Sequence, residues 1–409
     1  MAFAALKGWT TEQKHVVTAS FLGWTLDAFD FFLLVLVLTD IAREFDTSVS
    51  LTSWAITLTL FMRPVGAFLF GRLADHFGRR PVMIIDVLCY ATLAFVSAFS
   101  PNLTVFLILR ALFGIAMGGE WGVGASLTME SIPAHARGFV SGLLQAGYPT
   151  GYFLASAAYG LLFPYFGWRG LFMVGIVPAL LVLYIRRSVP ESPAWNKEHA
   201  HHGALLGVLK RNWRLSIYAI LLMTAFNFFS HGTQDIYPTF LKADHLFKPH
   251  TVSLIQMVYN VGAILGGITL GSLSQRFGRR TTLIVGALLA LPVIPLWAYS
   301  TTPAMLALGA FIMQFFVQGV WGVIPAHLNE LSPPEARATF PGVVYQLGNF
   351  FAAYNATLQA KLAVSQGSYA IALTIVAASA AVAIAVLSFL GGEAKDVDMQ
   401  LEKPAQART

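Results

Sequence analysis

The chain has one cysteine, Cys89, among 409 residues. It can form no intrachain disulfide and no cysteine-based zinc site. Charge is also scarce. Charged residues are 11% of the chain, against about a quarter in soluble domains, and this excludes an ordinary water-soluble globule. The formal net charge of +6 comes without any aromatic-interleaved basic patch, so nucleic acid is not expected as a partner. Gly-x-Ser-x-Gly, His-Glu-x-x-His and Walker loops are all missing, which leaves no support for hydrolytic, metalloprotease or ATP-driven chemistry. No metal or cofactor is expected.

Apolar sequence is abundant. Hydrophobic residues make up 56% of the chain, in windows long enough to cross a bilayer as helices. The windows fall at 17–38, 51–71, 81–100, 103–128, 138–161, 170–186, 214–235, 251–272, 281–299, 303–327, 338–361 and 369–391. The expected fold is therefore an all-α membrane protein with twelve transmembrane helices. The first window carries two aspartates and no small-residue cleavage site, so it reads as a retained span. The polar connector 187–213 divides the chain into six-helix halves, 1–186 and 214–392, and the polar tail 393–409 is expected to be disordered. His199, His201 and His202 in the connector read as solvated side chains. With the N-terminus inside, nineteen Lys and Arg fall on the inner side and five on the outer, so both termini are expected to be cytoplasmic.

The halves repeat at an offset of 200 residues. Gly71-Arg-Leu-Ala-Asp75-His-Phe-Gly78-Arg79-Arg80 returns as Gly271-Ser-Leu-Ser-Gln275-Arg-Phe-Gly278-Arg279-Arg280. Trp121-Gly122-Val123 returns as Trp321-Gly322-Val323, and Glu130, Pro133 and Arg137 as Glu330, Pro333 and Arg337. Two parallel repeats with a site at their interface are a transporter arrangement, in which one half rocks against the other. Glu130 and Glu330 are expected to bridge to the basic loops. The four-residue spacing of Gly114, Gly118 and Gly122 suits close helix contact.

Polar side chains inside the spans are the candidate site. An ionisable group at mid-bilayer is costly and is a functional candidate by default. Asn227, His231 and Asp235 are spaced i, i+4, i+8 and form one stripe of the seventh span. His231 can titrate near neutral pH, which suits a proton relay. Ser230 points about 100° away from His231 on the same helix, so the two cannot act as nucleophile and base. Asp27 and Asp30, three apart, share a face of the first span, where two nearby carboxylates cannot both ionise cheaply. Arg63 stands alone among apolar residues, and its planar fork matches a carboxylate in two-point fashion. Gln346 and Asn349 share a face of the eleventh span. Asp86, Glu120 and His327 have no assigned role at this level.

The loop Gly71–Arg80 resembles the signature loop of the major facilitator superfamily, with Gly71, Asp75, Gly78, Arg79 and Arg80 in its gating positions. Arg110-x-x-x-Gly114-x-x-x-Gly118-Gly119-Glu120-Trp121-Gly122 resembles that superfamily's fourth-span motif, and Pro190-Glu191-Ser192-Pro193 its sixth-span exit. The segment Asn227-x-x-Ser230-His231-x-x-Gln234-Asp235-x-x-x-Thr239 is similar to the motif of the lactate/pyruvate:proton symporters of the sialate:proton symporter family. The resemblance implies proton symport of a small monocarboxylate by a monomer in the plasma membrane. Substrate contacts would be Arg63, Asn227, His231, Gln346 and Asn349. Proton coupling would involve Asp27, Asp30, Arg110, His231 and Asp235. In related sugar symporters an acid at the Asp30 position is coupled to an arginine at the Arg110 position. Another organic anion (sialic, aromatic or dicarboxylic acid) or a sugar is the alternative cargo.

Overall fold

The computed structural model describes residues 9–47, 49–52, 54–192, 207, 210–337, 339–393, 395 and 397. The histidines of the connector and nearly all of the tail lie outside the described residues. Every regular element among the described residues is helical.

The first half comprises α1 (Thr11–Glu44), α2 (Trp54–Phe77), α3 (Arg79–Ser97), α4 (Leu103–Ser131), α5 (Arg137–Gln145), α6 (Gly147–Val174) and α7 (Ala179–Ser188). The second comprises α8 (Trp213–Gln234), α9 (Tyr237–Ala243), α10 (Pro249–Phe277), α11 (Arg279–Ala290), α12 (Ile294–Ala298), α13 (Pro303–Trp321), α14 (Ile324–Leu331), α15 (Thr339–Ala352), α16 (Asn355–Gln366) and α17 (Tyr369–Leu390). α1 begins with a reciprocal cap: Gln13 N donates to Thr10 Oγ1 at 3.2 Å, and Thr10 N donates to the Gln13 side chain at 3.0 Å.

Among the described residues ten helical stretches are long and apolar enough to cross a membrane. The expected fifth and eleventh spans are each divided, the one between α5 and α6 at Ala146, the other between α15 and α16 at Ala353–Tyr354. Neither is one long apolar helix, although both lie where the apolar windows put them. The boundary of the sixth span also differs. α6 runs through two helices, and Gly167 at φ 62° is the break between them. That backbone favours glycine, and it turns the chain so that Trp168 and Arg169 reach Glu44 at the end of α1, Arg169 at 2.7 Å.

Close packing follows the glycines. A Cβ on Gly114 would lie 2.2 Å from the Thr59 carbonyl of α2, and one on Gly118 would lie 2.0 Å from that of Arg63. α4 therefore presses its backbone onto α2. Gly122, third in the row, faces instead the other half, against Gly342 of α15. The halves also meet where α5 crosses α10: a Cβ on Gly142 would lie 2.2 Å from the Gly267 carbonyl.

The repeated loops are held alike. The Glu191 carboxylate accepts from Arg79 N at 2.8 Å and Arg80 N at 3.2 Å, at the start of α3. The Glu393 carboxylate accepts from Arg280 N at 3.1 Å, at the start of α11. Each acid sits where a helix N-terminus favours negative charge. Glu130 pairs with Arg79 at 3.3 Å and Glu330 with Arg279 at 2.9 Å, the bridges to the basic loops that the sequence suggests. The large apolar residues Leu180, Leu183, Phe389 and Leu390 remain exposed on the bundle's outer face, as a lipid-facing surface requires.

Candidate functional site

α1 lays Ser20, Gly23, Asp27 and Asp30 along one stripe, at i, i+3, i+7 and i+10. Asp27 and Asp30 are 0% and 1% exposed, and none of their carboxyl oxygens has a hydrogen-bond partner. They interact electrostatically with each other. Asp30 also senses Arg110, and Asp27 senses Arg63. Neither pair closes to a salt bridge. The Arg110 guanidinium lies instead 4.0 Å over the Phe113 ring, a cation–π contact in which the ring face takes part of the charge.

Arg63 is placed by α2 just before Pro64 and is 1% exposed. Its Nη2 donates to the Met117 sulfur at 2.6 Å, its Nε has no partner, and its guanidinium lies 5.3 Å over Phe31. A thioether is a weak acceptor, so the fork retains capacity for a better one. Arg63 also interacts with Tyr345 of α15, Tyr148 of α6 and His231 of α8.

The seventh-span stripe divides in two. His231 Nδ1 and Asp235 pair at 3.1 Å, with side chains 13% and 38% exposed, so the outermost member of the stripe is open to the surroundings. Asn227 faces inward: its amide donates to Met223 O at 2.8 Å and to Tyr345 O at 3.5 Å. Ser230 has no contact of the nucleophile–base kind. Its hydroxyl accepts from Gln234 and Gln318, each at 3.1 Å. Asn349 donates to Gln346 at 3.3 Å and interacts with His231. The Gln346 nitrogen is buried without a hydrogen-bond partner, and the buried Asn349 oxygen is left to face His231. Arg63, His231, Gln346 and Asn349 thus come together across the two halves, with Asn227 a turn below. Asp30 and Arg110 lie apart from them, within the first half.

Several members escape the sequence pattern. Tyr345 lies between repeat-related tryptophans, its ring centroid 4.7 Å from Trp121 and 5.4 Å from Trp321. Tyr148 stacks on Trp24 at 5.4 Å, and Tyr152 on Phe32 at 3.9 Å. Tyr152 donates to Gln256 of α10 at 2.6 Å, a bond between the halves. Gln314 and Gln318 of α13 bind Thr233 and Ser230 of α8. The 200-residue repeat marks the tryptophans, and the i, i+4 glutamine pair in an apolar run marks α13. Among the described residues no cluster of His, Cys, Asp or Glu could hold a metal ion. Cavities of about 430 and 520 Å³ lie elsewhere, beside α17 and at Arg276 respectively.

The Gly71–Arg80 loop meets the second half at one end of the bundle. Thr339 of α15 donates to Asp75 of α2, and Arg79 lies 3.5 Å from the same carboxylate. In the second copy Gln275 takes the acid's place, accepting from Gly138 N of the first half at 3.2 Å and from Arg279 at 2.9 Å.

The model of the Major Facilitator Superfamily matches residues 20–240 and 233–407. The chain belongs to this family. It is a multi-pass membrane transporter and not an enzyme, with twelve helices in two pseudo-symmetric halves. It is 29% identical over 387 residues to a "carboxylic acid transporter protein homolog" of Saccharomyces cerevisiae, covering 88% of this chain and 62% of that protein. The chain thus spans less than two thirds of that yeast relative. It is 26% identical to the sialic acid transporter NanX of Escherichia coli, over 85% of this chain and 87% of the relative. Identity to a putative niacin/nicotinamide transporter of Bacillus subtilis is also 26%, over 95% and 98%. The proton:xylose symporter XylE superposes with a TM-score of 0.76 at 18% identity, over 95% of this chain and 98% of that one. At that identity the likeness concerns the fold.

Proposed function

We propose that this transporter is a proton symporter of small monocarboxylates such as lactate or pyruvate, working by alternating access. The observation that carries the reading is Arg63, a buried guanidinium at the interface of the halves with no carboxylate in salt-bridge contact among the described residues. Relatives named for carboxylic, sialic and nicotinic acid transport support an organic anion as cargo. The substrate carboxylate would take the fork of Arg63; its hydroxyl or keto oxygen would accept from the Gln346 amide nitrogen, and a hydroxyl would also donate to the Asn349 oxygen, with Asn227 and His231 beside them.

Coupling then follows from one competition. When Asp27 is ionised, it claims Arg63 electrostatically. When Asp27 carries a proton, Arg63 is free for the substrate. The proton enters through Asp235 and His231, the stripe open at that end. Asp30 and Arg110 hold a second carboxyl in the same field. Halves 1–186 and 214–392 rock about the 187–213 connector, and the Gly71, Asp75, Gly78, Arg79 and Arg80 loop latches one end. The carrier works as a monomer in the plasma membrane with both termini cytoplasmic.

The tyrosines and tryptophans around Tyr345 favour a second reading, an aromatic or unsaturated acid stacked between rings. Radiolabelled lactate uptake at two external pH values, with competition by pyruvate, acetate, nicotinate, muconate and sialic acid, decides between them. Acid-stimulated uptake competed by pyruvate supports the first reading. Competition by nicotinate or muconate alone replaces it with the second.

A further inference from the structure

The first half contains four carboxyls buried without a hydrogen-bond partner, Asp27, Asp30, Asp86 and Glu120, and the last two have no place in the substrate site. Glu120 of α4 and Asp86 of α3 are 1% and 0% exposed, and all four of their carboxyl oxygens lack a hydrogen-bond partner. Glu120 senses Asp27, and Asp86 senses both. Asp27 has Arg63 and Asp30 has Arg110. Neither Asp86 nor Glu120 has a cation among its resolved interactions.

The backbone is shaped around Glu120. A Cβ on Gly23 would fall 2.3 Å from Glu120 Oε1, so glycine there leaves the carboxyl its space. A Cβ on Gly124 would lie 3.5 Å from the same oxygen and 3.8 Å from Ser20 Oγ. The Ser20 hydroxyl is fully buried and unpartnered beside that carboxyl. Tyr90, one turn beyond Asp86 on α3, brings its hydroxyl to Gly23 O at 3.5 Å. The α1 stripe runs from Ser20 beside Glu120 through Asp27 to Asp30, about 15 Å at the rise of an α-helix. Among the described residues no group of His, Cys, Asp or Glu here could hold a metal ion, and a carboxyl alone suffices to hold a proton.

We infer that Glu120 and Asp86 form a second proton-holding site, connected to the substrate site through Asp27. A carboxylate without countercharge inside a membrane protein costs several kcal/mol, so the pair is occupied by a proton at rest. In exchange, an O–H bond breaks on one carboxyl of the pair and one forms on Asp27. The Asp27 negative charge disappears, the charge is left on the pair, and Arg63 becomes free for the substrate. The titratable groups facing the pair are Asp27 on α1 and Cys89 and Tyr90 on α3. The site's role in transport rests on the proton-coupled reading, but its existence does not.

Infrared difference spectroscopy of the purified full chain, in H2O and in D2O, tests it without any substrate. The expected result is a deuterium-sensitive carbonyl stretch of a protonated carboxyl that persists above neutral pH. It weakens in Glu120→Gln and changes frequency in Asp86→Asn, both made on Asp27→Asn so that Asp27 contributes nothing. Should Glu120→Gln fail to fold, Glu120→Asp keeps a carboxyl and moves the band. A wild-type chain without the band above neutral pH overturns the site, as does a band unchanged in all three variants. Failure of lactate transport with the band intact would remove the substrate assignment and leave the proton site.

Discussion

Thr339 donates a hydrogen bond to the carboxylate of Asp75, joining the two halves of the transporter at the end that carries the repeated loops. The bond has a counterpart at Gln275, which accepts from Gly138 N of the opposite half. The two crossings differ in charge, because only the first copy of the loop keeps an acid. Opening this end must break both.

Thr339→Ala is expected to favour the state open at this end. Loss of one hydrogen bond to a charged acceptor is worth about 1.5–3 kcal/mol, a shift of roughly tenfold or more in the conformational equilibrium. The check is thiol labelling of Gln145→Cys, a buried position on α5, the helix that crosses α10 of the other half, on a Cys89→Ser background. Faster labelling with Thr339→Ala is the expected outcome. An unchanged rate would mean that the bond is dispensable to closure.

Arg63→Lys keeps the charge but loses the fork. A bidentate contact reduced to a point charge loses about one charge-assisted hydrogen bond, so uptake at limiting substrate should fall about tenfold or more. The comparison requires equal amounts of inserted protein. Uptake near the parental level would remove the two-point contact from the substrate site.

His231→Ala and Asp235→Asn are expected to abolish accumulation against a gradient while labelled substrate still exchanges across the membrane. The two side chains are paired at 3.1 Å and partly exposed, which is the geometry of a proton entry. If both variants accumulate substrate like the parent, the pair only closes the end of α8.

The repeat-related ion pairs should differ in their weight on stability. Arg279 donates to both oxygens of Glu330, each at 2.9 Å, and both side chains are fully buried. Removing one partner of such a pair costs about 3–5 kcal/mol. Glu130→Gln should cost less, because Arg79 keeps Asp75 at 3.5 Å. Thermal unfolding in detergent should therefore show Glu330→Gln with the larger fall in midpoint, and the reverse order would refute the comparison.

Much of the fold can be read from the chain because its signals are local or periodic. Apolar windows mark the spans, and the 200-residue offset marks the halves. The close approach of Gly114 and Gly118 to α2 follows from their spacing. The break at Ala353–Tyr354 has no such signal, since neither residue is a helix breaker. It is visible only once the helices are packed. The site was legible as a set of costly polar residues but not as an arrangement. Asp27, Arg63 and His231 stand out singly, whereas their grouping around Tyr345 depends on α1, α2, α8 and α15 meeting across the interface. Asp86 and Glu120 have no role legible in the sequence for the same reason. A pattern shows that a carboxyl lies within a span, but not that it lacks a partner there.

The proposed cycle also fixes which gradient drives it. A monocarboxylate carries one negative charge and one cotransported proton one positive charge, so a 1:1 cycle moves no net charge. Membrane potential is worth about 2.3 kcal/mol per charge per 100 mV, and an electroneutral cycle cannot draw on it. The pH gradient supplies about 1.4 kcal/mol, or tenfold accumulation, per pH unit. An inside-alkaline gradient imposed on proteoliposomes should drive lactate uptake. A potassium diffusion potential without a pH gradient should not. The second proton site makes this comparison informative. If the proton on Asp86 and Glu120 only exchanges with Asp27 inside the protein, the stoichiometry stays 1:1 and the potential has no effect. If that proton also crosses in each cycle, one positive charge moves per turnover, and an inside-negative potential will drive uptake by itself. Potential-driven uptake that vanishes in Glu120→Gln while pH-driven uptake persists would identify the extra proton as the one held by the pair. Potential-driven uptake that persists in Glu120→Gln would point instead to an uncharged cargo and refute the monocarboxylate assignment.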